Sequence, residues 1–231
     1  QMCIRDRILL LKELLADHGS IYVHLDWRVA HYLKTIMDEI FGEDNFIREI
    51  IWRIGWVSGY KSVAKNWVRN HETIFYYAKD KSRLIFNKMY TPYPPDYERW
   101  GGRPKGKGLP IEDVWGVFPQ EGVTSLQVVS FSTEYEDFET QKPEGLLERI
   151  IRASAKDPLQ AVKEGHDVPL VLDCFVGSGT TAAAAQNLGV RWIACDINKG
   201  AVQTTSKRLQ KIILERIKKD KKTKSDELPR Y

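Results

Sequence analysis

Cysteine is scarce in this chain and nowhere clustered. Cys3, Cys174 and Cys195 are the only three in 231 residues, an odd set without CxxC spacing. That argues against a disulfide framework and a cysteine metal site, and fits a reducing compartment. A run of about 18 apolar residues is missing, and so is any signal-peptide pattern, so membrane spanning and secretion lack support and a cytoplasmic protein is expected. Charge of one sign is not in large excess: 35 Lys and Arg against 31 Asp and Glu leave a net +4. No internal repeat is visible. The chain opens at Gln1 with QMCIRDR, which fits no amphipathic pattern with the residues after it. We therefore read it as the tail of a longer reading frame.

What is present is enough for a globular core. Hydrophobic residues make up 42% and aromatics 11%, which argues against global disorder. The basic residues are unevenly spread: Lys61, Lys65, Arg69, Lys79, Lys81, Arg83, Lys88, Arg99, Arg103, Lys105 and Lys107 crowd the middle. Such a surface attracts a phosphate backbone through counterion release. A plain solvated basic face explains the same charges.

Helical spacing runs from Ile8 to Asp17 and stops at Gly19. The β-rich run Ser20 to Leu25 follows, with Asp26 as a cap for WRVAHYLKTIMDEIF, which closes at Gly42. Helix, strand, helix in this rhythm implies a parallel sheet. NFIREIIWRI from Asn45 and ETIFYYAK from Glu72 are further strands. Between 80 and 139, prolines at Pro92, Pro94 and Pro95 and glycines at Gly101, Gly102, Gly106 and Gly108 mark a loop-rich inserted lobe. TQKPEGLLERIIRAS then places Pro143 at a helix start. The strand VPLVLD, the turn FVGSG, the helix TTAAAAQNLG, the strand VRWIACD and a long basic helix from Lys199 complete a βαβ unit. Past Lys218 too few apolar residues remain to pack, so fraying is expected. The division is 1–79, 80–139, 140–218 and a basic tail, 219–231.

DCFVGSGTT carries the chemistry. Gly177 and Gly179 permit a tight turn and close ligand approach at a helix N-terminus with unpaired amides. Asp196 ends the next strand, where a carboxylate accepts hydrogen bonds from two ribose hydroxyls. A P-loop would need a lysine after the last glycine, and Thr180 stands there. A dinucleotide fingerprint of the GxGxxA form is satisfied by Gly177, Gly179 and Ala182, so spacing leaves NAD open.

Asp173, Phe175, Gly177, Ser178, Gly179, Thr180 and Thr181 are in register with the DPFxGSGTT motif of amino-methyltransferases, with Cys174 in place of the proline. TQKPEGLLERII resembles the motif these enzymes carry immediately upstream. GSIYVHLDWR, FGEDNFIREIIW and HETIFYYAKD resemble segments of the adenine-modifying branch. The chain thus resembles the permuted DNA N6-adenine/N4-cytosine amino-methyltransferases of restriction and modification systems. The resemblance implies an α/β, Rossmann-like S-adenosylmethionine-dependent methyltransferase fold with an inserted, loop-rich target-recognition lobe, of prokaryotic or phage-like origin. It implies that Thr140, Gln141, Lys142 and Pro143 border the methionine moiety of S-adenosylmethionine. Asp173, Phe175, Gly177 and Gly179 would surround its amino acid part, Asp196 its ribose and Ile197 its adenine, with Ser178 and Thr180 also counted as cofactor-binding. For Phe175 and Ile197, ordinary core packing is the competing reading.

The family's catalytic tetrapeptide, Asp, Asn or Ser followed by Pro-Pro and an aromatic, is absent from these residues. It holds the exocyclic amine of a flipped base, and without it the nucleophile is not positioned. No catalytic residue is therefore assigned. The expectation is weak or absent cofactor binding and no methylation by this chain alone. YPPDY, Tyr93 to Tyr97, lacks the acceptor and the aromatic, and reads as a polyproline-like turn.

Lys61, Lys65, Arg69, Arg103 and Lys105 are candidate phosphate contacts, and Trp52, Trp56, Trp67 and Trp100 candidate stacking residues. His24 and Asp26 end a strand, as site residues or as a rim histidine and a helix cap; Asn70 and His71 suggest a structural or DNA-proximal role. Expected partners are double-stranded DNA and a restriction subunit or second copy, with no metal and no membrane. Two rival functions stay open: a nicotinamide-dependent oxidoreductase and a non-catalytic nucleic-acid-binding module.

Overall fold

The structure is a computed structural model, and it describes residues 4–54, 63, 65–98, 101–102, 104–116 and 141–226, with side chains to 218. The chain divides into two compact units, Gln1–Leu126 with Ala153–Ala155, and Gln127–Arg152 with Lys156–Tyr231.

In the first unit, α1 (Ile4–Leu14) leads into β1 (Ser20–Leu25), α2 (Trp27–Phe41), β2 (Phe46–Arg53) and β3 (His71–Ala78). The short β4 (Tyr90–Thr91), β5 (Leu109–Pro110) and β6 (Val114–Trp115) follow. The sheet order is β1-β3-β2-β6. β3 is antiparallel to both its neighbours, which corrects the expected parallel pairing. β1 and β2 do run in the same direction, joined by the α2 crossover. The most thoroughly apolar strand, β3, takes the place between them, where both its edges are paired and six of its eight residues are buried. β6 pairs parallel to β2, so the end of the described part of 80–139 is stitched into the sheet.

Asp26 caps α2, its carboxylate accepting the Arg28 N–H at 2.9 Å. The helix buries Ala30, Leu33, Met37, Ile40 and Phe41, the i, i+3, i+7 stripe that faces a sheet. They pack with Ile8 on Phe75 and Tyr77, each large aliphatic contributing about 1.5–3 kcal/mol by leaving water. On the other face of the sheet Tyr22 and Tyr76 stack at 4.3 Å, and the Tyr22 hydroxyl meets Ser154 Oγ at 2.7 Å. Burial pushes the Tyr22 phenol well above its ordinary value.

The second unit is built on α3 (Glu144–Ser154, of which the last two residues belong to the first unit), α4 (Pro158–Lys163), β7 (Leu170–Asp173), α5 (Thr180–Leu188), β8 (Arg191–Ala194) and α6 (Lys199–Asp226). β7 and β8 are parallel, in register from Leu170 opposite Arg191 to Asp173 opposite Ala194, and α5 is the crossover. Ala182, Ala183, Ala184 and Ala185 are all buried, so the helix lies close on its neighbours with no long side chains to hold it off. Two differences from the sequence reading stand out. α4, begun by Asp157 capping the Gln160 N–H at 3.0 Å, is absent from it. α6 continues to Asp226, past Lys218 where fraying is expected; lysine, a good helix former, makes up half of residues 219–226.

Candidate functional site

The carboxyl ends of parallel strands are where an open α/β sheet builds its ligand crevice, and here they are closely laced. The Cys195 N–H donates to Asp173 O at 2.9 Å, and the Val176 N–H donates to Cys195 O at 3.1 Å. Asp173 Oδ1 accepts the Phe175 N–H at 3.0 Å, an Asx turn that starts the loop. Gly177 and Gly179 have φ of +52° and +81°, the region glycine enters without penalty. Gly179 also needs to be small: an added Cβ would lie 2.8 Å from Thr205 Oγ1 and 2.9 Å from Thr205 Cγ2.

Asp196 closes this turn. Its Oδ2 accepts the Gly177 N–H at 3.0 Å, and its Oδ1 accepts the Asn198 N–H at 2.9 Å. A carboxylate has about four lone-pair positions, so two remain for further donors. The two features that the sequence reading pairs, the glycine turn and the acidic strand end, are thus in direct contact. Phe175 is 59% and Ile197 98% exposed, which rules out core packing for both and leaves apolar surface beside a fixed carboxylate.

Ser178 and Thr180 are buried, their hydroxyls 3.2 Å apart. Thr180 Oγ1 donates to Lys142 O at 3.2 Å, joining the turn to the stretch before α3. Gln141 and Pro143, on either side of Lys142, are buried. Thr140 lies outside the described residues. Lys142, Asp173, Phe175, Gly177, Ser178, Gly179, Thr180 and Asp196 are therefore linked by contact or chain continuity, with Ile197 next to Asp196.

Four residues here escaped the sequence reading. The Thr205 hydroxyl donates to Gly177 O at 3.1 Å; Arg208 reaches Ser178 O, Thr180 and Glu144; Asn187 Nδ2 donates to Glu144 at 3.4 Å. The signal was present on α6: Ala201, Thr205, Arg208 and Leu209 are all buried, a stripe in which an arginine among small and apolar residues demands partners. A depression of about 430 Å³ lies at the opposite ends of the strands, lined by Leu170, Gln186, Gly189, Val190, Arg191 and Trp192. It gathers no acidic group, so we give the glycine turn precedence.

In the first unit Trp52 is fully buried, a core residue and not the base-stacking one proposed from sequence. It sits on the inner strand β2, directly opposite Glu72. Trp67 is 100% exposed and follows exposed Lys65. Arg69 is half-buried and donates to His71 O at 2.8 Å. Lys105 is exposed. Lys61, Arg103, Trp56 and Trp100 lie outside the described residues. His24 pairs with Glu72 at 2.5 Å and sets its ring edge-on to Trp52. Asp26 is the α2 cap, and its hydrogen bonds from Arg28 pull its pKa down to about 2. Tyr93 and Tyr97 stack at 5.4 Å across a turn closed by the Tyr97 N–H to Pro94 O. No helix among the described residues is long and apolar enough to cross a membrane.

A parallel βαβ unit with a glycine turn at its carboxyl edge and an acid just past the next strand is the arrangement that nucleoside-binding α/β folds use. Residues 2–207 match the sequence model of the N6/N4 DNA methylase family, and the chain belongs to that family. It is 24% identical over 265 residues to the type II methyltransferase M.EcaI of Enterobacter cloacae, covering 89% of this chain and 56% of that protein. With M1.MboII of Moraxella bovis it shares 31% over 155 residues, 61% of this chain and 54% of the relative. The chain spans about half the length of these curated relatives. Among solved structures, the crystal structure of the M1.HpyAVI-SAM complex superposes with a TM-score of 0.57 at 23% identity, covering 89% of this chain and 81% of that one. The fold is that of the S-adenosylmethionine-dependent DNA methyltransferases.

Proposed function

We propose that the second unit binds S-adenosylmethionine and that the protein to which these residues belong transfers its methyl group to the exocyclic amine of a base flipped out of duplex DNA, N6 of adenine before N4 of cytosine. One observation carries the cofactor half of this reading: the Gly177 N–H on Asp196 Oδ2 at 3.0 Å, flanked by exposed Phe175 and Ile197. The spare lone pairs of Asp196 suit two ribose hydroxyls. Ile197 offers a face for adenine, and Phe175, Gly177, Ser178, Gly179 and Thr180 enclose a small polar group, with Thr140, Gln141, Lys142 and Pro143 on the methionine side. The cofactor supplies a methyl on a sulfonium, electrophilic enough to need no metal and no covalent enzyme intermediate.

The base half of the reaction needs the acidic, amide or hydroxyl residue before Pro-Pro-aromatic, and no such string occurs in the 231 residues. We infer that this chain supplies cofactor binding and DNA contacts, and that turnover requires the tetrapeptide from outside these residues. Duplex DNA is the proposed partner, met through Lys61, Lys65, Arg69, Arg103 and Lys105. A restriction subunit or second copy follows from the family resemblance alone.

Thermal melting in the presence of S-adenosylhomocysteine or NADH tests the reading, because a ligand that binds only the folded state raises the midpoint by mass action. Stabilisation by S-adenosylhomocysteine and not by NADH is expected. The reverse would make the turn a dinucleotide site. A chain that ignores both yet binds duplex with a steep salt dependence would be a binding module.

A further inference from the structure

We propose that Arg208 is a positioning residue for the cofactor turn, its guanidinium tying together the two chain segments that border the site. This rests on the reading under Proposed function. Arg208 is 4% exposed. Its Nη2 donates to Glu144 Oε1 at 2.7 Å. Its Nη1 lies 3.2 Å from Ser178 O and 3.3 Å from Thr180 Oγ1. Glu144 opens α3, immediately after the Gln141-Lys142-Pro143 stretch, and Ser178 and Thr180 belong to the glycine turn. One buried cation therefore holds both borders, and Thr180 Oγ1 adds a direct link to Lys142 O.

The geometry has a consequence for the turn's amides. Thr205 and Arg208, one helical turn apart on α6, draw the carbonyls of Gly177 and Ser178 towards that helix. In a planar trans peptide the N–H points opposite to the carbonyl of the same unit. The Ser178 N–H is thereby turned away from α6. A buried ion pair is a weak source of net stability compared with an apolar pair of the same volume, so the fork geometry is the better account of why an arginine stands here. Lysine, a single point of donors, cannot span three acceptors on two segments in that fixed plane.

Arg208→Lys and Glu144→Gln, compared with the wild-type chain, decide the matter through hydrogen exchange, thermal melting and S-adenosylhomocysteine affinity. Arg208→Lys is expected to melt cooperatively, to exchange amides about tenfold faster in both 141–147 and 177–181, and to bind the probe about tenfold more weakly, the scale of one lost charge-assisted hydrogen bond. Exchange in β3 should stay at its wild-type rate. Glu144→Gln should loosen 177–181 as well, through Arg208, and this variant decides the question if Arg208→Lys fails to fold. Wild-type exchange in either segment of a folded variant would overturn the proposal. Should the wild-type chain ignore S-adenosylhomocysteine, the cofactor reading falls, while the exchange comparison still settles whether Arg208 ties the two segments.

Discussion

Replacing Gly179 with alanine tests a position where the turn is both left-handed and sterically closed. At φ +81° a Cβ costs about 1 kcal/mol in backbone strain. The new methyl would also stand 2.8 Å from Thr205 Oγ1, 2.9 Å from its Cγ2 and 3.1 Å from its Cα. The last of these is backbone of α6, which cannot swing aside, so overpacking adds about 2 kcal/mol. The total is about 3 kcal/mol, equivalent to a fall in melting midpoint of roughly 6–12 °C for a chain of this size. Gly165 provides the control, since its φ is +73° and an added Cβ would meet nothing within 4 Å. Gly165→Ala should cost only the strain, about 1 kcal/mol. Urea unfolding of the two variants measures the difference. Equal losses would refute the close approach of α6 to the turn, and with it the packing argument for the whole site.

Trp52→Ala and Trp67→Ala should part company: emptying the buried site costs about 3–5 kcal/mol, whereas the exposed side chain leaves the urea midpoint unchanged and lowers duplex affinity by about 1–3 kcal/mol if it stacks on a base. Lys65→Ala should weaken DNA binding about equally for all sequences and reduce the salt slope by about one; an unchanged slope in a salt titration would remove it from the interface. Burial works against the Asp38 carboxylate, but hydrogen bonds from Lys34 and Tyr77 outweigh it and hold its pKa below 3.8. A depressed folded pKa gives stability that is present above the unfolded value and lost as pH falls through the folded one. The stability gap between wild type and Asp38→Asn, followed by urea midpoint, should therefore be full near neutral pH and close below about pH 3.8; a gap independent of pH would contradict it.

Local pattern told the two units apart unequally. In the second, strand, turn, helix and strand were legible because each is signalled within a few residues, and the contact of Gly177 with Asp196 follows from a βαβ connection that admits few alternatives. In the first, the elements were legible but their neighbours were not. Periodicity marks β3 as a strand without saying that it inserts between β1 and β2. Nor does an isolated tryptophan announce its burial: Trp52 and Trp67 carry the same basic surroundings in sequence, and register on β2 alone sends one inward. Arg208 lay hidden in a lysine-rich helix, where a buried cation looks like its solvated neighbours until the apolar stripe is drawn through it.

Photolabelling addresses the site most directly. Ultraviolet crosslinking of S-adenosylmethionine tritiated in its methyl group, followed by peptide mapping, should place the label within 140–143 or 173–197, and excess S-adenosylhomocysteine should abolish it. Label confined to the first unit of a folded chain, or unaffected by the competitor, would contradict a cofactor site at the glycine turn.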